Sequence, residues 1–342
     1  MVSVALDATY SIGEVLSGVG LYSREMLTGL AAAHPEARFD FYYRPHRFFR
    51  SLRVPLPPNA HRKLLMEPIG PRGAALFHSL NQRLPNVKLG RAVVTFHDLF
   101  VLTGEYSTPE FRERFAAQAR DAAERSDAII AVSSFTRDQV IGLLGVEPSK
   151  VQVVHHGIRR LALPALPREK VILNVGAIQK RKNIARLVEA FEAVDPAWRL
   201  VLAGSDGYGA AEIRDRVAQS RARDRIAIPG YVTPAELAAW YARAGVFAFP
   251  SLDEGFGMPV LEAMSAGVAV VTSNRSALPE VAGDAALLVD PGDTDALMDA
   301  LRRVTADETL RQNLVQRGTA RAKLFTWEKA VRETWEVYRA VI

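Results

Sequence analysis

The chain has 342 residues, 49% hydrophobic and 24% charged, with a formal net charge of +5 and no cysteine. These values fit a soluble globular protein of about two domains and exclude disulfides, cysteine nucleophiles and cysteine metal sites. No apolar run approaches the roughly 18 residues that span a bilayer, and the N-terminus lacks the basic start and apolar stretch of a secretory signal, so the expectation is a cytoplasmic protein.

In chain order, "VSVALD" reads as a strand and "GVGLYSREMLTGLAAA" as a helix with apolar residues at three- and four-residue spacing. "RFDFYYR", "RAVVTFHD", "DAIIAVS" and "VQVVHHG" read as further strands, with "PEFRERFAAQARDAAERS" and "SSFTRDQVIGLLG" as helices between them, the latter capped by Ser133 or Ser134. "IRRLALPALPREK" has two prolines and no period, and reads as a linker. The alternation then restarts with "VILNVGA", "WRLVLAGSD", "RIAIPG", "GVFAFPS", "VAVVTSN" and "AALLVDPG" as strands separated by helices. Thr233 and Pro234 open one of these helices as cap and first residue. Strand and helix alternating over two halves predicts two doubly wound, Rossmann-like parallel-sheet domains, at 1–163 and 164–325. Ligands are expected at the carboxyl ends of the strands, in a cleft between the domains. The closing segment, residues 326–342, reads as a helix packing back on the first domain, with Trp327, Trp335 and Tyr338 as packing groups.

The charge is uneven. Residues 38–72 carry eight Lys and Arg against two Asp and Glu. Arg44, Arg47, Arg50 and Arg53 recur every third residue, with Phe48 and Phe49 among them. Such a stretch is either a solvated loop or a surface that meets an anionic membrane. The footprint is too weak for nucleic acid, and no nucleic-acid module is present.

"SLDEGFGMPVLEAMSAG", from Ser251 to Gly267, follows an aromatic strand and runs into a helix with Pro259 in its first turn. A glycine loop feeding a helix N-terminus presents N–H groups to an anion, yet the stretch also holds two carboxylates, Glu254 and Glu262. Taken alone, Glu262 would be an early-helix acid favouring the dipole. "QKRKN" places Arg181 and Lys182 between a strand and a helix, where a fork and a point charge suit a phosphate. Asp293 and Asp295 form a D-x-D, but its place before "ALMDALRRV" reads as a helix cap; no metal is expected.

The two glutamates eight apart resemble the E-x7-E signature of family 4 retaining glycosyltransferases, which have the GT-B fold. "SGVGLYSREML", "TFHDLF", "AVSSFTRDQV", "VVHHGI", "LNVGAIQKRKNIARLVEAF", "GSDGYG" and "SALPEVAGDAALLVDPGD" resemble further family stretches, in order over nearly the whole chain. The resemblance implies that Glu262 accepts hydrogen bonds from the ribose of a sugar nucleotide and that Glu254 meets hydroxyls of the transferred sugar. It implies that the backbone from Gly255 through Phe256, Gly257, Met258 and Pro259 to Val260 faces the diphosphate or sugar. Arg181 and Lys182 would stabilise the leaving diphosphate; Ala177 stands where many members carry an Arg, and Arg181 would take that share. His97 would lie beside the donor sugar, unless it is a core histidine satisfied by a carbonyl. Gly18 and Gly20 would approach the donor phosphate or the acceptor. Gly176, Gly204 and Ser205 would line the nucleotide pocket, with Tyr231 and Val232 flanking the base.

The match is most similar to bacterial mannosyl- and rhamnosyl-type transferases of surface polysaccharide assembly. The expected reaction moves a hexose, with mannose from GDP-mannose as first choice, to a hydroxyl of a sugar or lipid-linked saccharide. No cofactor is expected, and the protein would sit peripherally on the inner face of the cell membrane. A UDP- or dTDP-sugar donor and a sugar-nucleotide epimerase of the same fold are the alternatives. A nicotinamide enzyme is disfavoured, because no G-x-G-x-x-G follows the first strand.

Overall fold

A computed structural model describes residues 2–13, 15–159 and 161–342; Arg160, in the stretch read as a linker, lies outside them. The chain divides into two compact units. The first comprises Met1–Thr103, Thr108–Gly157 and Phe325–Ile342, and the second Gly104–Ser107 and Ile158–Leu324.

The first unit is built on seven parallel strands: β1 (Ser3–Asp7), β2 (Arg38–Tyr43), β3 (Ala60–Leu64), β4 (Leu76–Ser79), β5 (Ala92–Phe96), β6 (Ala128–Ala131) and β7 (Val151–Val153), in the order β3-β2-β1-β4-β5-β6-β7. The second holds β8 (Glu169–Val175), β9 (Arg199–Ala203), β10 (Ile226–Gly230), β11 (Ala244–Phe249), β12 (Ala269–Ser273) and β13 (Leu287–Val289), ordered β10-β9-β8-β11-β12-β13. In each sheet the chain first builds outward in one direction and then returns to build in the other. The reversal falls between β1 and β4, and between β8 and β11. These are topological switch points, where the flanking loops diverge and leave a crevice.

Helices cover both faces of the first sheet, so its inner strands bury alternate residues in two cores. Val4 and Leu6 enter one, with the helices Gly18–Ala33 and Trp327–Val341; Ala5 enters the other, with Phe115 and Ala119 of the helix Pro109–Arg125. Helix starts follow the sequence. Ser133 caps the helix Ser134–Leu144, Thr233 and Glu236 form a capping box, and Asp293 accepts from the Ala296 N–H at 3.0 Å, so the D-x-D is a helix start.

One sequence expectation is extended and one is corrected. Tyr338 does more than pack: buried on the closing helix, its hydroxyl bonds His78 Nδ1 at 2.5 Å. His78 Nε2 bonds Thr95 Oγ1 at 2.9 Å, and Thr95 bonds the Tyr22 hydroxyl at 3.0 Å, so these four side chains satisfy one another. Within the basic stretch, only Pro45–Ser51 is helical. Arg44 precedes it and turns inward, its side chain 11% exposed, toward Asp7 at 3.9 Å and Glu67 at 3.4 Å. Phe48 packs against the core. The exposed surface is therefore Phe49, Arg50, Leu52 and Arg53, with Arg47 half-buried beside them.

Candidate active site

The basic loop leaves β8 and the acidic loop leaves β11, its neighbour at the switch point of the second sheet. Asn183 fixes the basic loop. Its backbone is left-handed (φ 57°), and its side-chain amide donates to the carbonyls of Pro250 (3.1 Å) and Pro291 (2.8 Å). The Leu252 N–H donates to the Arg181 carbonyl at 2.8 Å, closing the two loops on each other.

This closure puts both cations on one carboxylate. Lys182 Nζ lies 2.5 Å from Glu254 Oε1 and Arg181 Nη1 lies 2.9 Å from Oε2, and all three residues are buried. Arg181 also donates to the Asp253 carbonyl, and the Lys182 ammonium stands 4.5 Å over the Phe249 ring. Burial alone would raise the Glu254 pKa; the charges of Arg181 and Lys182, and the hydrogen bonds they donate, reverse this and hold it at about 2.

The second glutamate has a different environment. Glu262 is buried in the helix Met258–Ser265, accepts from the Tyr241 hydroxyl at 3.1 Å, and faces Arg159 Nε at 3.5 Å. Here burial outweighs the single cation and the hydroxyl, and the pKa is raised. Gly257 caps this helix at φ +107°, which a side chain rarely adopts, and no side chain caps its amides. Pro259 has no N–H, and the Val260 N–H turns to the Gly257 carbonyl at 3.0 Å. Of residues 258–260, then, Met258 is the one left to offer an anion its N–H, a narrower cradle than the sequence suggests. Gly255 and Phe256 complete the loop, with Phe256 buried.

Gly204 follows β9 so closely against the neighbouring strand end that a Cβ there would collide with the Gly176 carbonyl. The Ser205 carbonyl accepts from the Ile178 N–H at 2.9 Å, and the Gly204 N–H donates to Gly230 at 2.9 Å. Gly176, Gly204 and Ser205 thus form one layer of backbone beside the basic loop. Tyr231 is exposed and Val232 half-buried, just past β10.

The remaining expected residues belong to the first unit. His97 follows β5 and is buried; its Nε2–H donates to the Leu80 carbonyl at 2.9 Å and its Nδ1 faces His156 Nε2 at 3.3 Å. Burial lowers its pKa to about 4, against the Leu80 bond, so the ring is neutral at pH 7. Both nitrogens are engaged as the structure stands. Gly18 and Gly20 lie in the first turn of the helix Gly18–Ala33, whose cap Ser17 accepts from the Gly20 N–H at 3.2 Å.

Family models described as glycosyl transferases group 1 and glycosyltransferase family 4 match residues 160–321 and 17–160. The O-antigen chain mannosyltransferase B of Escherichia coli is 30% identical, over 97% of this chain and 98% of its own. The chain belongs to the family 4 glycosyltransferases. Sucrose-phosphate synthase of Thermosynechococcus elongatus superposes with a TM-score of 0.78 at 24% identity, covering 99% of each chain. Anabaena HepE, solved with UDP and glucose, superposes with a TM-score of 0.74 at 15% identity, over 99% of this chain and all of its own. At these identities the two structures speak for the fold, the GT-B architecture of two Rossmann-like units.

As a family 4 glycosyltransferase the chain is an enzyme, and the E-x7-E pair stands at the switch point of its second sheet. Sequence reasoning missed the groups that hold this pair in place. Asn183 was visible as the last letter of "QKRKN", and Asn is, among residues other than glycine, one of those that most readily take a left-handed turn. Tyr241 and Arg159 reach Glu262 from a helix and a linker far away in sequence, and no local pattern announces them.

Proposed function

We propose that the enzyme transfers a hexose, mannose from GDP-mannose, with retention of configuration, to a hydroxyl of a saccharide or lipid-linked saccharide. The observation that carries this reading is the buried Glu254–Arg181–Lys182 cluster beside the Gly257 helix cap. Two cations held by one carboxylate are ready to be shared with a diphosphate, and the carboxylate is then released toward sugar hydroxyls, for which it is a strong acceptor. Glu262 and Tyr241 supply the acceptor pair for the ribose. In the transfer, the bond from the anomeric carbon to the acceptor oxygen forms as the bond to the diphosphate oxygen breaks. The acceptor proton passes to the leaving phosphate, and Arg181 and Lys182 take up the growing charge. Mannose is supported by the near full-length likeness to a mannosyltransferase.

No metal takes part in this scheme; the cations of the basic loop stand in its place. The face formed by Phe49, Arg50, Leu52 and Arg53 holds the enzyme on anionic membrane, each Arg near the surface contributing on the order of 1 kcal/mol. No helix of the described residues is long and apolar enough to cross a membrane. The test of the donor is a thermal-shift series with GDP, UDP, dTDP and ADP and their sugars, followed by the anomeric configuration of the product by NMR. GDP-mannose should stabilise most and give an α-mannoside. Larger shifts with UDP or dTDP would replace the donor, and an inverted product would overturn retention.

A further inference from the structure

A second switch point, between β1 and β4, carries its own cavity of about 600 Å³ in the first unit. The volume lies within the usual range for a small-molecule site. Its walls come from the loops that follow those two strands, Tyr10 after β1 and Asn81, Gln82 and Arg83 after β4, and from Arg114 and Gln118 of the helix Pro109–Arg125.

Asn81 points to a ligand. The residue is 4% exposed, and its Oδ1 accepts from the Arg83 N–H at 2.8 Å, which fixes which end of the amide is the donor. That donor, Nδ2, is buried and has no partner among the described residues. A buried N–H without an acceptor is a cost that native proteins rarely leave standing unless a ligand or water completes it. The charges agree in sign. Among the described residues no Asp or Glu lines the cavity and Arg83 is in no ion pair, and Arg114 rests 5.3 Å over the Phe111 ring. Asp7, the carboxylate that feels the Arg83 charge, is bound by the Thr9 N–H at 3.0 Å and faces Arg44 at 3.9 Å.

We infer that this cavity is an acceptor subsite for a saccharide bearing an anionic group. The oxyanion, phosphate or carboxylate, would meet Arg83, Arg114 and the Asn81 amide. Gln82 and Gln118 would serve ring hydroxyls, and the exposed Tyr10 and Phe111 rings give the sugar an apolar face to lie on. The inference rests on the reading of the chain as a transferase to a hydroxyl acceptor, and it deepens that reading by giving the acceptor a charge.

The test is calorimetric titration of the full chain with mannose 6-phosphate, glucuronate, inorganic phosphate and methyl α-mannoside. At least one of the two anionic sugars should bind about 10-fold or more tightly than the neutral glycoside, as expected for a charge-assisted bond. Whichever wins separates phosphate from carboxylate. Arg83→Gln should erase that advantage. Asn81→Asp keeps the Oδ1 acceptor for the Arg83 N–H, replaces the donor by a charge, and should abolish anion binding; Arg114→Gln serves if either variant is unstable. GDP affinity should hold in each. Equal binding of neutral and anionic sugars, or anion binding indifferent to all three substitutions, would overturn the inference. Absence of any nucleotide binding alongside a preserved, Arg83-dependent preference for anionic sugar would instead sink the donor reading and leave the cavity assigned.

Discussion

Replacing Glu254 by Gln removes a carboxylate that both Arg181 and Lys182 contact, while keeping its shape. Its pKa falls from an ordinary 4.5 to about 2 in the folded protein. That difference corresponds to about 3 kcal/mol of favourable interaction with the ionised form, in line with the roughly 3–5 kcal/mol typical of breaking a buried pair by removing one partner. The variant should therefore melt lower, by several degrees for a domain of this size. The effect on nucleotide should run the other way. On the proposed reading a diphosphate shares the two cations with Glu254 in the native enzyme, and in the variant the Glu254 carboxylate no longer competes for them. GDP should bind the variant more tightly and restore more of its melting temperature than it adds to the native enzyme, while transfer falls, because the sugar hydroxyls lose their acceptor. Linkage gives a second reading of the same term. A carboxyl with a depressed folded pKa contributes its stability above pH 4.5 and loses it as pH falls toward 2, so native and variant melting curves should converge at low pH. Scanning calorimetry and GDP titration suffice. An unchanged melting temperature together with unchanged GDP affinity would refute the coupling.

Lys182→Ala should lower turnover more than donor affinity, since a cation at the leaving diphosphate helps the transition state more than the ground state; a rise in KM alone would remove that role. Burial raises the Glu262 pKa, so GDP affinity should fall as pH drops toward that raised value and the ribose loses an ionised acceptor. Glu262→Gln should flatten the profile, and an unaltered profile would take Glu262 from the ribose site. Burial holds His78 near pKa 3 and His97 near 4, against an ordinary 6.5. Their neutral forms therefore contribute stability above pH 6.5 that is lost on acidification, about 1 kcal/mol per pH unit for each; a urea midpoint equal at pH 7 and pH 5 would contradict this. Transfer should survive EDTA, and activity abolished by EDTA and restored by magnesium or manganese would show that the basic loop does not replace a metal.

The inner strands were legible because a parallel sheet covered on both faces needs unbroken apolar runs, and "AVVTF" and "AIIA" are such runs. β3 and β4 escaped for opposite reasons. β3, "AHRKL", is an edge strand with half-wet polar side chains. β4, "LFHS", is fully buried but short, and its polar His78 is tolerated inside because Tyr338, 260 residues on, bonds it. The chemistry-bearing residues were legible as motifs, since their spacing is local. Their supports were not, because Tyr241 on Glu262 and Asn183 on Pro291 exist only after folding. Arg44 shows the reverse error: a three-residue repeat puts it in a surface patch, and Asp7 at the end of β1 draws it inward.

The acids in a loop suited to an anion have a physical reason that the two glutamates divide between them. Arg181 and Lys182 are both under a tenth exposed. Buried cations meet a desolvation cost that a paired carboxylate helps to offset. Glu254 supplies a counter-charge, and the two cations keep it ionised. Glu262 has one cation at 3.5 Å and a neutral hydroxyl, too little to offset its burial, so it gains more than Glu254 does from hydroxyl donors brought by a ligand. One carboxylate stabilises the empty site and the other is completed by filling it. On the proposed reading a diphosphate competes with Glu254 for its two cations while the ribose supplies donors to Glu262, so the first exchange tempers nucleotide affinity and the second favours the bound state.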